Sequence, residues 1–225
     1  MKEDVFTHDH LNTWQVCKNR YYFKYIKKLN WPDFAGDYEL GRNFHALIDY
    51  HLRGFDIQIV LKDASEEVKQ CWELIKDNSI LDNKLVKTEW GFNTRIADST
   101  NWLAGRIDAV FYDPKKSKYI IADWKTGKYI PKKIDPNFQH KIYLYALYNS
   151  RKDLGLEFKP EKLEFQYIKI QDKVSVSNIE FSEDKNAEYE EKFLSIIREI
   201  KKTEDFNAPP ACPLKPCVYK NLCFK

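Results

Sequence analysis

The sequence is poor in glycine and proline, contains a single methionine and has almost no net charge. Seven glycines and nine prolines among 225 residues argue against a fibrous or a disordered chain, so we expect a packed globular fold. Lysine and arginine number 37 against 34 acidic residues, and an excess of +3 gives no indication of a nucleic-acid partner by itself. No apolar run approaches the roughly 20 residues of a membrane span, and the first residues, MKEDVFTHDH, contain no apolar signal core. We therefore expect a cytoplasmic protein without a membrane partner.

A chain of this length can bury one substantial core, and no linker or internal repeat divides it. We predict a single domain over residues 1–225 with three parts. Residues 1–80 form a helical part, with apolar residues at helical spacing over 7–29, around 44–52, and after Ser65, a good N-cap. Residues 81–181 form a sheet with one crossing helix, and residues 182–225 form a terminal helix and a tail. The fold class is α/β (α+β), with a central mixed sheet flanked by helices.

The five cysteines are too unevenly placed for a disulfide framework in a reducing compartment. Cys71 belongs to the apolar side of the helix that follows Ser65, and we expect it to lie in the core. The others are Cys17 near the start and a group of three at the end, Cys212, Cys217 and Cys223. Their positions are more typical of metal ligands.

The stretch IIADWKTGK, residues 120–128, ends an apolar strand on polar residues. Side chains alternate along a strand, so Asp123 and Lys125 share one face while Trp124 occupies the other. Asp108 lies on the preceding strand, and the turn sequence DPKKS predicts a hairpin that brings it close. Two carboxylates and an ammonium group at one sheet end suit a divalent cation and phosphodiester hydrolysis.

These residues resemble a known family. GRIDAV, ADWKTGK and QHKIY are similar to the G-x-x-D, D-x-K-T-G and Q-x-x-x-Y motifs of the PD-(D/E)XK nuclease superfamily, in its RecB-like branch. Upstream, Gly41 and His45 in GRNFHAL resemble the G-x-x-x-H helix of that branch, and Glu89 in TEWGF falls where the branch often has an acid. The resemblance extends from about residue 11 to residue 223.

The resemblance implies a restriction-endonuclease-like core and a Mg²⁺- or Mn²⁺-dependent deoxyribonuclease. His45, Asp108, Asp123 and the Trp124 carbonyl would hold the metal, and Lys125 would position the attacking water. Gln139 and Tyr143, four apart on one helical face, would contact the substrate or support Lys125. The alternatives are a structural role for His45, simple packing for Gln139 and Tyr143, and an exposed strand position for Glu89.

One subset of this branch, which includes the CRISPR adaptation exonuclease, joins an N-terminal cysteine to three C-terminal ones around a 4Fe-4S cluster. The implied ligands are Cys17, Cys212, Cys217 and Cys223, although Lys18 replaces a usual proline and four residues, not two, separate the second and third cysteines. Zinc is the alternative, because four thiolates also suit zinc. Free thiols are the third possibility.

The expected function is an exonuclease or end-processing enzyme on single-stranded or frayed DNA, of bacterial, archaeal or viral origin. Candidate partner proteins are a helicase and factors of recombination or CRISPR adaptation. Basic and aromatic residues of the first helices could line the path of the strand or simply form a half-buried helix; they are Arg20, Tyr21, Tyr22, Lys24, Lys27 and Lys28. The alternatives are a non-catalytic DNA-binding or scaffold module and, third, a sequence-specific restriction-type endonuclease.

Overall fold

A computed structural model describes residues 4–29, 37–126, 137–206, 212, 214 and 217–224. The α-helices are α1 (His8–Val16), α2 (Lys18–Tyr21), α3 (Asp37–Leu52), α4 (Gln58–Asp63), α5 (Glu66–Ile75), α6 (Phe138–Ser150), α7 (Glu183–Lys202) and α8 (Lys220–Cys223). There is also one π-helical turn (Tyr22–Ile26) and one 3₁₀ turn (Pro160–Lys162). The strands are β1 (Asp4–Phe6), β2 (Lys84–Arg95), β3 (Asn101–Asp113), β4 (Lys118–Lys125), β5 (Leu163–Ile170) and β6 (Val174–Glu180). None of the described helices is both long and apolar enough to cross a membrane.

The six strands form one mixed sheet, which confirms the predicted fold class. The order is β1, β3, β4, β5 and β6, and β2 pairs with the other edge of β3. The β1–β3 and β4–β5 pairs are parallel, and the remaining pairs are antiparallel. The hairpin predicted from the DPKKS turn is β3–β4, and β5 returns parallel to β4 after the crossing helix α6.

Two strands share one edge of β3 and leave a gap between them. β1 pairs with residues 101–103 and runs in the direction of β3, whereas β4 pairs with residues 109–113 and runs against it. The two strands therefore advance toward each other, and their ladders stop before residues 104–108. The end of β4 and the chain that follows β1 border this gap.

The sheet has an apolar core on each face. On the first face α1, α6 and α7 pack on Ile121, Phe165 and their neighbours. On the second face α3 and α5 pack on Ala122, Trp124 and Ile168. Alternation along β4 assigns Asp123 to the first face, below α6, as period two requires.

Most predicted helix starts are present as expected. Ser65 and Ser182 accept hydrogen bonds from Val68 N and Lys185 N, so both serve as N-caps. Cys71 is a buried residue of the second core, as predicted. The sequence did not indicate β1 or α4, because three and six residues are too few to show a period.

The aromatic residues of the first helices pack inside the protein. Tyr21 is buried, and the Tyr22 ring stacks on Phe206 with centroids 4.7 Å apart. Phe23 stacks on Tyr219, which lies beside the terminal cysteines, at 5.6 Å. These contacts favour the half-buried helix over a row of rings open to bases.

Candidate active site

Asp123 and Lys125 end β4 as an ion pair. Asp123 Oδ2 lies 2.6 Å from Lys125 Nζ, the Asp123 side chain is 1% exposed and that of Lys125 is 29% exposed. Among the described residues, Lys125 is the one partner that approaches Asp123 Oδ2. A buried carboxylate oxygen with a lone pair to spare is well suited to bind a cation.

The other oxygen of Asp123 is held by the start of α6. Gln139 Nε2 donates to Asp123 Oδ1 at 2.7 Å and to the Tyr143 hydroxyl at 3.4 Å. Gln139 is fixed in turn, because its backbone N–H donates to the side chain of the N-cap residue Asn137. Asn12 of α1 donates to the same Asn137 oxygen and accepts from the backbone N–H of Phe138, the first residue of α6. The structure therefore brings Gln139 and Tyr143 together next to Asp123. Their contact with the substrate or support of Lys125 stays a prediction.

Asp108 lies on β3 at the mouth of the gap. Asp108 Oδ2 accepts from the Trp124 backbone N–H at 3.0 Å and lies 3.4 Å from His45 Nδ1. His45 comes from the middle of α3, on the second face of the sheet. The structure thus brings His45 and Asp108 together beside the end of β4.

Glu89 of β2 completes this group, and the sequence left its position open. Ligand atoms of His45, Glu89 and Asp108 all lie within 4.8 Å of one another, which is the single such acidic or histidine group among the described residues. Glu89 Oε2 also accepts from Arg106 Nε at 2.8 Å. Its φ is +46°, a left-handed conformation in the middle of a strand. Strain of this kind concentrates at functional sites.

His45 is oriented by the backbone of β4. His45 Nε2–H donates to the Trp124 carbonyl oxygen at 2.9 Å, and Nδ1 faces Asp108. Burial acts to lower the pKa of His45, but Asp108, Asp123 and the Trp124 carbonyl hold it above its usual value. Metal-binding histidines are commonly held by such an outer hydrogen bond. The Trp124 carbonyl is here the outer partner of His45, and its role as a further ligand stays a prediction.

The charges at the site are strongly coupled. Burial raises the pKa of Asp123 to about 7; Lys125 opposes this rise, while Asp108 adds to it. Burial also acts to raise the pKa of Asp108, but His45, Lys125 and the Trp124 N–H hold it below its usual value. Two carboxylate oxygens, an imidazole nitrogen and a neighbouring buried carboxylate fit a hard divalent cation that also accepts nitrogen.

Steric contacts explain why Gly105, the glycine of the G-x-x-D motif, has no side chain. A Cβ on Gly105 would lie 2.7 Å from Cζ of Phe92 and 3.2 Å from Cε1 of Tyr143, so only hydrogen fits beneath these rings. Gly41 of the histidine helix is less constrained, because a Cβ there would be 3.6 Å from Thr126 Oγ1. Gly127 and Lys128, which follow in the D-x-K-T-G segment, lie outside the described residues.

Replacing Gly105 with alanine should lower the free energy of unfolding by about 1–3 kcal/mol, because an overpacked methyl group must displace Phe92 or Tyr143. Denaturation in urea measures this change. Gly91→Ala is the matched control, since a Cβ at Gly91 meets nothing within 4 Å, and we expect a smaller change there. Equal stability of Gly105→Ala and the wild type would contradict the steric account.

Two further residues lie beside Lys125, and the sequence analysis did not identify either. Lys169 of β5 is the register partner of Lys125 in the parallel β4–β5 pair, so both point to the same face. Within the described part of the chain Lys169 has no ion pair. His8, the first residue of α1, contacts the Tyr143 ring edge-on, with centroids 6.3 Å apart.

The terminal cysteines lie close to the start of the chain. Asn19, two residues after Cys17, donates to Cys223 Sγ at 3.8 Å. Burial raises the pKa of Cys217, and the neighbouring Cys212 thiol adds to this rise. Four thiolates on one zinc ion lie about 3.8 Å apart, given Zn–S bonds of about 2.3 Å. No three of the four described thiols come within 4.8 Å of one another.

The family that this chain matches is in agreement with a metal-binding active site. The family model of the PD-(D/E)XK nuclease superfamily matches residues 5–91 and 80–224, almost the whole chain. The chain belongs to the PD-(D/E)XK nuclease superfamily. Members of this superfamily use divalent metals, and the group of His45, Glu89 and Asp108 is a candidate metal site of this nuclease.

One solved structure shows the same fold at low identity, and a second has weaker similarity. A candidate exonuclease from Eubacterium rectale is 13% identical with a TM-score of 0.50, and the match covers 88% of this chain and 82% of that one. The crystal structure of SSO0001 is 15% identical with a TM-score of 0.43, over 99% of this chain and 87% of the other. No curated protein matches the nuclease sequence.

Proposed function

We propose that this chain is a metal-dependent deoxyribonuclease of the RecB-like branch that processes ends of single-stranded or frayed DNA. The observation that carries the proposal is the meeting of Asp123, Lys125 and Asp108 with His45 at the gap in the sheet. Duplex unwinding would come from a separate helicase, and recombination or CRISPR adaptation factors are the other proposed partners. The RecB-like assignment depends on His45 in its helix and on the Gln139 and Tyr143 pair.

Each residue has a defined task in the proposed hydrolysis. When bound, Mg²⁺ or Mn²⁺ would polarise the scissile phosphate and stabilise its developing charge. His45, Asp108 and Asp123 would hold the ion, and Glu89 adds a further carboxylate that the sequence motifs left open. Lys125 would orient the attacking water. Among the residues that the structure describes, no serine or cysteine is paired with a base at this site, so direct attack by water is the mechanism proposed.

The charge pattern next to the site supports a polyanionic substrate. Lys169 lies beside Lys125 on the neighbouring strand, whereas Asp123 is the acidic partner of Lys125 alone. Arg106, 69% exposed at its side chain, is next to the gap on β3. Positive charges next to a carboxylate centre suit the phosphates on either side of a scissile bond.

The proposal is tested with end-labelled linear DNA, single- and double-stranded, and circular single-stranded DNA in Mn²⁺ or Mg²⁺. We expect the wild type to shorten linear strands and to spare circles, and Lys125→Ala to lose at least about 100-fold in rate because water and charge are no longer oriented. Cleavage of circles would favour an endonuclease. Binding without cleavage in both metals would favour the scaffold module.

We also propose that Cys17, Cys212, Cys217 and Cys223 hold a 4Fe-4S cluster. The closeness of Cys212 to Cys217, and of Cys223 to the residue two after Cys17, supports one shared group. When bound, the cluster would join the start of the chain to its tail.

A further inference from the structure

His8 is placed at the active site by the path of the sheet. β1 ends opposite Leu103 and advances toward residue 105 of β3, while β4 advances toward the same point from the other side. His8 follows β1 after one residue and thus enters the gap opposite Asp123 and Lys125. Its ring is perpendicular to that of Tyr143, at 88°. Tyr143 is linked through Gln139 to Asp123, so His8 borders the same constellation.

The neighbouring histidine has a structural task, whereas His8 has none. His10 Nδ1 accepts from Thr7 N at 3.1 Å to complete the cap of α1, and its ring stacks on Tyr25 at 4.0 Å. His8 Nδ1 is enclosed and has no hydrogen-bond partner among the described residues. The edge-on contact of His8 with Tyr143 is one that a phenylalanine ring can also make.

The His8 ring is neutral and its proton can be assigned. Burial lowers its pKa to about 4, opposed by Asp9 and aided by the positive charge of Lys125. A proton on the enclosed Nδ1 would be an unpaired buried donor, which costs about 1–3 kcal/mol, so the proton belongs on Nε2. His8 therefore offers one neutral N–H donor beside a lysine.

The surroundings of this donor favour an anion. His8 is the first residue of α1, a nine-residue helix whose N-terminus carries partial positive charge. Asp9 is the acid nearest to it, and its carboxylate is engaged by Lys24 and Tyr25. Lys125 contributes a full positive charge from across the gap. An oxygen of a phosphodiester would meet all three features at once.

We propose that His8 is a substrate-binding residue, whose Nε2–H donates to a backbone phosphate oxygen of the DNA strand next to Lys125. This inference rests on the proposed nuclease function. It assigns the strand to a path that crosses the gap between β1 and β4. His8 acts as a fixed, uncharged donor and transfers no proton.

The test compares two replacements of His8 in the full-length, metal-loaded protein. His8→Phe keeps the ring on Tyr143 but removes the donor, and His8→Gln keeps an N–H at nearly the position of Nε2. We expect KM for single-stranded DNA to rise about 10-fold in His8→Phe with kcat within about 3-fold, because a hydrogen bond to a charged group is lost. We expect His8→Gln to restore KM to within about 3-fold of the wild type.

His10→Gln is the matched control, expected to lower the melting temperature through the helix cap and to leave KM unchanged. A wild-type KM for His8→Phe, or equal defects in His8→Phe and His8→Gln, would reduce His8 to a packing residue and overturn the inference. Those outcomes presuppose that the wild type cuts DNA. If the wild type neither cuts nor binds a labelled 20-nucleotide strand in Mn²⁺, the nuclease proposal fails and this inference fails with it.

Discussion

Replacing Asp123 with asparagine is expected to lower the rate of DNA cleavage by about 10³-fold, equivalent to about 4 kcal/mol of transition-state stabilisation. Asparagine has nearly the same shape, so Gln139 keeps an acceptor, but the ion loses a charged ligand and Lys125 loses its counter-charge. Single-turnover cleavage of an end-labelled strand in Mn²⁺ measures the change. Asp172→Asn removes one charge from the exposed β5–β6 turn and serves as the control, with an expected rate close to that of the wild type.

Stability distinguishes this loss of activity from loss of folding. Because burial raises the pKa of Asp123 from 3.8 to about 7, the folded metal-free protein binds more protons than the unfolded chain between these values. The resulting destabilisation is absent below pH 3.8 and complete above about pH 7. Asp123→Asn should therefore melt no lower than the wild type in EDTA at pH 8. A variant that cuts within 10-fold of the wild-type rate would exclude Asp123 as a ligand.

Replacing Cys217 with serine is expected to remove iron and visible absorbance and to lower the melting temperature by about 10 °C. The reason is that a metal group bound only by the folded chain adds its binding free energy to stability, and a chain of this size melts about 2–4 °C lower for each kcal/mol lost. The tail would then be held mainly by contacts such as that of the Tyr219 hydroxyl with the Leu29 carbonyl, 2.7 Å apart. Iron analysis of anaerobically purified protein and thermal melting measure both effects.

Cys71→Ala is the control for Cys217→Ser, because Cys71 lies in the second core and should lose some stability but no iron. Cys217 is on the tail, away from the residues that surround Lys125, so the fraction of Cys217→Ser that folds should still cut DNA. If the wild-type protein is colourless and contains one zinc ion for each chain, the cysteines hold zinc and not an iron–sulfur cluster. Cys217→Ser with full iron content would remove this cysteine from the ligand set.

The end of β4 was predictable from local rules. Alternation alone gave the shared face of Asp123 and Lys125, and a hairpin turn of the expected length brought Asp108 to them. The four-residue spacing of Gln139 and Tyr143 predicted that both lie on one helical face, although the hydrogen bond to Asp123 and the cap at Asn137 were not predicted. In each case the information is carried by a few neighbouring residues and one short turn.

Long-range features were not predictable in the same way. Glu89 joins His45 and Asp108 only because its backbone adopts a positive φ, which no sequence period records. His8 reaches the gap because a three-residue strand pairs with β3 about a hundred residues later. The packing of Tyr22 on Phe206 likewise depends on two ends of the chain. Such contacts are set by the assembled sheet and not by local propensity.

At Glu89 the backbone conformation and the binding of a cation favour different residues. Backbone energy at φ +46° favours glycine or asparagine by about 1–2 kcal/mol, whereas a cation at the site favours the carboxylate. A related chain that binds no metal at this site would gain stability by replacing the glutamate. The residue at this one position is therefore expected to differ between related chains with and without a metal centre.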